Sequence, residues 1–276
     1  MKSKLFLILF ILIAIAALTA AIYMFQQEYR IYAWDWEVVF RPAGLAFAQG
    51  ADPYAGQGFY NPFWVLMVIT PFALAGKVGQ AAFAAVNIAL FALGAWKVGV
   101  KNPLLIALVT LWFGTLSNLN GNIEGLFMLG LILPPSFGLL FLALKPQVGL
   151  AVMAVLMWKA YSERGLVGLS KLCLPLLGMV CLSIALYGPW FLRAGEAVTM
   201  EWNVSLWPWS LMAGLPLLGA ALMRKDVRLA LMAGPFLSPY IASVAYGYVF
   251  IGALAIIEDE ARKIVKDILK AGKLTR

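Results

Sequence analysis

An all-α polytopic membrane bundle of about eight spans, with short broken helices and one helix lying along the interface, is the fold this sequence predicts. Three observations predict it. Hydrophobic residues make up 63% of the 276 residues and charged residues only 12%, with a mean hydropathy of +0.88, which leaves too little polar surface for a soluble domain of this length. Long Leu/Ala/Val/Ile runs recur at the length a helix needs to cross a core of roughly 30 Å, whereas the alternating pattern of barrel strands is absent. Lys and Arg cluster at short connections and at the C-terminus, so the formal charge of +8 reads as cytoplasmic loop topology and not as a nucleic-acid surface.

Lys2 and Lys4 precede an apolar run from Leu5 to Met24, with small residues Thr19, Ala20 and Ala21 near its end. The run suits an uncleaved first span better than a signal peptide, because it is long enough to cross and tethers the loop that follows. The lysines put the N-terminus in the cytoplasm and residues 26–61 outside. In that loop Trp36, Val39, Phe40, Ala43 and Phe47 recur at helical spacing, the pattern of an interfacial helix that Pro42 kinks or begins near Arg41. Gly50, Asp52-Pro53 and Gly56-Gln57-Gly58 break it into turns, and Asn61-Pro62 opens a second span that runs to Ala75.

Lys77 marks a cytoplasmic turn, and Gln80–Trp96 crosses back. Simple alternation then leaves Lys97 and Lys101 outside, against the positive-inside tendency. Pro103–Leu116, Ile123–Leu133 and Phe137–Leu144 are short and separated by Asn- and Pro-rich breaks, as expected where broken helices line a cavity. Lys159, Arg164 and Lys171 predict a cytoplasmic loop, Leu172–Leu186 a span, and Gly188–Trp209 an external segment with a tryptophan belt. Leu211–Met223 returns to the basic stretch Arg224–Arg228, and Leu229–Ile257 reads as a half-helix and a span. Residues 1–257 form the membrane domain; 258–276 form a basic cytoplasmic amphipathic tail that rests on anionic lipid. Both termini are expected in the cytoplasm. Cys173 and Cys181 lie in an apolar run and read as packing residues.

The absence of histidine removes Ser-His-Asp chemistry and histidine metal sites, so any acid or base is a carboxylate, Lys, Tyr or Cys. Asp35, just past the first span and flanked by Trp34 and Trp36, is placed to meet the head group of a lipid-linked substrate, and equally suits an N-cap or a solvated carboxylate. Glu37 and Asp52 carry the same two readings. Asp35-x-Glu37 has the spacing of a cation pair, without further carboxylates clustered nearby in sequence. Lys145 stands in an apolar run, where an ammonium is costly unless paired or facing water. It suits an anion such as phosphate, or a buried pair with Glu124. Asn118, Asn120 and Asn122 suit helix caps or cavity walls.

An external Asp followed by an aromatic and Ala-Gly, then Gly-x-Asp-Pro-Tyr and Tyr-Asn-Pro-Phe, resembles the polytopic glycosyltransferases of the GT-C fold, and most closely the family 87 type, the polyprenyl-phosphate-mannose-dependent mannosyltransferases. Asn120-Gly121-Asn122 stands where that family often shows Gly-Gln-x-Asn, with Asn122 in place of glutamine. Leu144-Lys145-Pro146-Gln147 and Ser238-Pro239-Tyr240 match its Lys-Pro and Ser-Pro motifs. The resemblance implies a GT-C-like bundle in a prokaryotic cell membrane and an inverting transfer of mannose or another hexose from polyprenyl phosphate to a lipid or glycan acceptor. It implies Asp35 as general base, Lys145 and Arg41 at the donor phosphate, and a cavity drawn from Glu37, Asp52, Tyr54, Tyr60, Asn61, Asn120, Asn122, Glu124, Gln147, Ser238 and Tyr240. No metal or other cofactor is implied. A lipid-substrate transporter or flippase, and a non-catalytic membrane scaffold, are the alternatives from other classes.

Overall fold

A computed structural model describes residues 2–56, 58–192 and 201–274, and every regular element among them is helical. Gln57, and residues 193–200 of the expected external segment, lie outside the described residues. Helix α1 spans Lys2–Glu28. A π-helical turn, Asp35–Phe40, runs into α2, Arg41–Ala48. Then come α3 (Trp64–Leu74), α4 (Gly76–Val98), α5 (Pro103–Leu119, with a π-helical stretch at Thr110–Thr115), α6 (Glu124–Ile132) and α7 (Pro135–Leu142). The chain closes with α8 (Pro146–Tyr187), α9 (Leu211–Arg224), α10 (Val227–Leu237) and α11 (Gly247–Leu274). Three helices are long and apolar enough to cross a membrane: Leu9–Glu28 of α1, α4 and α8. The other apolar helices are shorter; α3, with 11 residues, rises only about 16 Å.

Helix α4 is the central post. The last third of α1 packs on its first half through Ile22 against Ala81, Ala84 and Ala85. On another face α6 comes in so closely that a Cβ on Gly125 would sit 2.1 Å from the Asn87 carbonyl oxygen. The buried Asn87 side chain completes that contact. Its Oδ1 accepts from Leu126 N at 3.0 Å, satisfying an N–H of the first turn of α6 that has no partner within its own helix. This docking carries Glu124, the first residue of α6, into the interior.

The two ends of the bundle differ in charge. At one end the Glu258 carboxylate accepts from Lys101 N at 2.8 Å and Asn102 N at 3.2 Å, Arg262 reaches the Gly99 carbonyl, and Arg228 bridges Asp226 and Asp259. The α4–α5 connection, with Lys97 and Lys101, therefore shares an end with Arg228 and the tail. At the other end Phe83 of α4 packs tilted against Trp36, with ring centroids 5.0 Å apart, and Phe72 of α3 packs against Phe83, which puts the α3–α4 turn and Lys77 beside the Asp35 segment. This reverses the alternation expected from the sequence both for Lys77 and for the Lys97–Lys101 pair. The reason is length: α3 is too short to carry the chain across, so it folds with α2 at one end, Gly44 meeting Ala73.

Two further expectations change. The predicted loop around Lys159, Arg164 and Lys171 is helical except at Gly165, whose φ of 60° and ψ of −152° suit only glycine. A Cβ on Gly168 would sit 2.6 Å from the Ala160 carbonyl oxygen, so the chain doubles back within a single residue. The tail is not a separate element, since α11 continues unbroken through residue 258.

Candidate functional site

A cavity of about 390 Å³ opens at the end away from the Arg228–Glu258 cluster. Its walls come from the Trp34–Phe40 segment, from Gly58–Asn61, from the Asn122–Ile123 and Leu144–Ala151 breaks, and from Gly234–Tyr240 with Trp202.

Asp35 begins the π-helical turn, and Pro42 explains why that turn is wide. Proline has no N–H to give the Val38 carbonyl, so the ladder slips by one residue, and Arg41 N bonds the Trp36 carbonyl. Behind Asp35, the fully buried Trp36 is clamped from the other side. Gly121, at φ 90°, approaches so closely that a Cβ there would lie 2.4 Å from Trp36 Cβ. The Asn120-Gly121-Asn122 turn then meets the Asp35 segment atom by atom. Asn120 Oδ1 accepts from Trp34 N at 2.8 Å, its carbonyl accepts from Trp36 N at 3.2 Å, and Asn122 Nδ2 donates to Asp35 Oδ2 at 3.0 Å. Burial pushes the Asp35 carboxyl above its usual range, against the lowering pull of the Lys145 ammonium and of the Asn122 and Asn120 amides. Asp35 does not act as an N-cap.

Lys145 is placed by the proline that follows it. Pro146 bars the preceding residue from the α region, and Lys145 takes φ −128° and ψ 75°, breaking α7 from α8. Its ammonium pairs with the Glu124 carboxylate, which also receives the Tyr248 hydroxyl and, at 3.4 Å, the Ser117 hydroxyl. Glu124 and Tyr248 are each 1% exposed and Lys145 is 6% exposed, yet Lys145 also lines the cavity. A lysine has three N–H donors, so one pairing leaves capacity for a second partner.

Tyr60, Asn61, Gln147, Ser238 and Tyr240 line the same cavity. Asn61 Nδ2 donates to the Leu144 carbonyl at 2.8 Å, tying the first loop to the Lys145 break. Ser238 Oγ donates to the Tyr240 carbonyl at 2.7 Å and shapes the Ser-Pro-Tyr turn.

The remaining expected residues stand elsewhere. Arg41 pairs with Glu37 at 3.6 Å, one turn along, and neither lines the cavity, because residues two and six positions after Asp35 face other sides of a helix. Asp52 is exposed and accepts from Tyr54 N at 2.9 Å as a turn residue. Tyr54 is buried among Phe59, Tyr187 and Trp190. Glu124 lies beneath Lys145 and Asn120 behind Trp34, neither on the wall itself. Sequence reasoning missed Trp202 and Tyr248. Trp202 merges into a tryptophan-rich stretch, and the Tyr248 hydroxyl in an apolar run was the one available signal. Comparison with protein-family models, with characterised proteins and with solved structures returned no match.

Proposed function

We propose that this chain is an integral-membrane glycosyltransferase moving mannose or another hexose from a polyprenyl-phosphate donor to a lipid or glycan acceptor on the extracytoplasmic face. The observation that supports it is the sharing of one cavity by the half-buried Asp35 carboxylate and the Lys145 ammonium. Asp35 takes the proton of an acceptor hydroxyl as that oxygen attacks the anomeric carbon. The bond from that carbon to the phosphate oxygen breaks, and polyprenyl phosphate leaves with the electron pair on the opposite face, inverting the centre. The leaving group is already an anion, so it needs a cation beside it more than a proton, and Lys145 is that cation. The reaction as written uses no metal or nucleotide.

On this reading the Lys97–Lys101, Arg224–Arg228 and tail end is cytoplasmic, together with both termini, and the cavity faces outward. The shorter apolar helices join the three long ones in a GT-C-like bundle of about eight membrane segments. The buried Lys145–Glu124 pair supports a lipid-flippase reading in second place, since intramembrane ion pairs also mark transport paths.

The test is transfer of radiolabelled sugar from a panel of polyprenyl-phosphate sugars by the purified full chain in liposomes, wild type beside Asp35→Asn. Transfer that collapses in the variant supports the reading. Full transfer by a folded Asp35→Asn protein overturns it, and movement of donor across the bilayer without transfer selects the flippase.

A further inference from the structure

The rim of the cavity has a feature that neither Asp35 nor Lys145 requires. Trp34 and Trp202 meet there edge to face, with ring centroids 5.5 Å apart and planes at 64°, although they lie 168 positions apart in the chain (202 − 34). Both remain open to solvent, at 40% and 48% exposed, while lining the same cavity as Asp35. Leaving two indoles part-exposed forgoes burial, and here the arrangement is held by design of the backbone. Trp34 is fixed through its N–H to Asn120. Trp202 Nε1 donates to the Tyr240 hydroxyl at 3.1 Å. The strand of chain that carries Trp202 is stitched to the Ser-Pro-Tyr turn by four bonds: Asn203 Nδ2 to the Pro239 carbonyl at 3.0 Å, Ile241 N to Asn203 Oδ1 at 2.9 Å, Ser205 Oγ to the Ser238 carbonyl at 2.7 Å, and Val204 N to the Ile241 carbonyl at 2.8 Å.

The same cavity offers a polar group of matching kind. Gln147 lines the cavity, and its side-chain amide makes no hydrogen bond among the described residues, leaving two donors and an acceptor uncommitted. A pre-formed pocket that joins apolar faces to a few convergent polar groups selects a ligand with both kinds of surface. A pyranose ring has them: an apolar C–H face that stacks on an indole, and equatorial hydroxyls that reach an amide and a carboxylate. A long-chain alcohol would find no use for the amide, and a belt tryptophan at the membrane interface needs neither a cavity nor an Asp35 neighbour.

We infer that Trp34, Trp202 and Gln147 form a binding subsite for a hexopyranose, the terminal sugar of a glycan or glycolipid acceptor that presents its hydroxyl to Asp35. Its role as acceptor rests on the transferase reading; the binding subsite does not.

Saturation-transfer NMR without donor, on the full chain in nanodiscs with methyl hexopyranosides and short hexose oligosaccharides, tests the subsite directly. Wild type is expected to transfer saturation to ring C–H protons. Trp34→Ala and Trp202→Ala, checked for wild-type melting, weaken binding about tenfold, on the scale of one lost aromatic contact. Trp202→Phe retains part of it. Trp209→Ala binds as wild type, Trp209 being a 77% exposed tryptophan outside the cavity. No binding of any sugar by folded wild type, or equal binding by both alanine variants, overturns the inference. Sugar binding in a protein that transfers nothing leaves the subsite standing and removes the transferase reading. Transfer to lipid alcohols alone, without sugar binding, does the reverse.

Discussion

Asn122 Nδ2 donates to Asp35 Oδ2 at 3.0 Å, joining two residues 87 positions apart. The bond stabilises the ionised carboxylate, while burial opposes ionisation. The acid limb of the transfer rate is therefore expected above the ordinary aspartate range near 4. Asn122→Ala removes a lowering contribution, so its acid limb moves further up in pH. Rate against pH, measured for both proteins over the same range, checks the shift; a limb that moves down contradicts it.

Asp35→Asn separates activity from stability. In the proposed transfer, losing Asp35 as general base costs about a thousandfold in rate. A folded-state pKa raised by burial means the stabilising contribution of the neutral acid is present below the unfolded pKa and is lost as pH rises through the folded value. An uncharged amide escapes that loss. At neutral pH the variant is expected to melt no lower than wild type, with any advantage disappearing as pH falls below the usual carboxylate range. Melting curves at several pH values read this.

The Lys145–Glu124–Tyr248 cluster predicts a non-additive series. Lys145→Ala leaves Glu124 buried without its cation and costs about 3 kcal/mol or more. Tyr248→Phe removes one hydrogen bond to a charged group, about 2 kcal/mol. The double variant Lys145→Met with Glu124→Leu removes both charges and is expected to recover most of the stability lost in Lys145→Ala, without recovering transfer. Thermal midpoints beside transfer rates test it, with Lys145→Met and Glu124→Leu also measured singly; simple additivity of those two changes would count against the pairing.

Gly121→Ala carries its defect to Asp35. The added Cβ meets Trp36 Cβ at 2.4 Å and Trp36 N at 2.7 Å, and a φ of 90° disfavours alanine in any case. The turn that holds Trp34, Trp36 and Asp35 must move. Misplacement of a reacting group by about 1 Å costs about a hundredfold. The expected result is that loss of transfer, with a melting midpoint lowered by several degrees.

The sidedness of the lysines is testable by labelling. With Cys173 and Cys181 replaced by serine, Lys97→Cys is expected to react with a membrane-impermeant thiol reagent only from the face that also labels the tail, and Lys77→Cys only from the opposite face. Labelling of both from one face would break the two-ended arrangement.

The all-helical class with runs long and apolar enough to cross a membrane, the breaks at Asn120–Asn122 and Lys145-Pro146, and the pairing of Lys145 with Glu124 are all legible in the sequence. They follow from local physics: apolar runs, proline's missing N–H, and the cost of an unpaired ammonium in an apolar run. The tertiary structure alone decided which polar residues meet. Arg41 and Asp35 are near neighbours in sequence, yet only Asp35 lines the cavity, while Asn122 reaches Asp35 across 87 positions. It put Lys97 and Lys101 at the end with Glu258, as the positive-inside tendency favours and simple alternation does not, because α3 is too short to carry the chain to the other end. It also drew Trp202 to Trp34. Periodicity and charge report what each segment wants to bury, but the close approach of α4 to α6, made possible by Gly125, selects which segments share a wall.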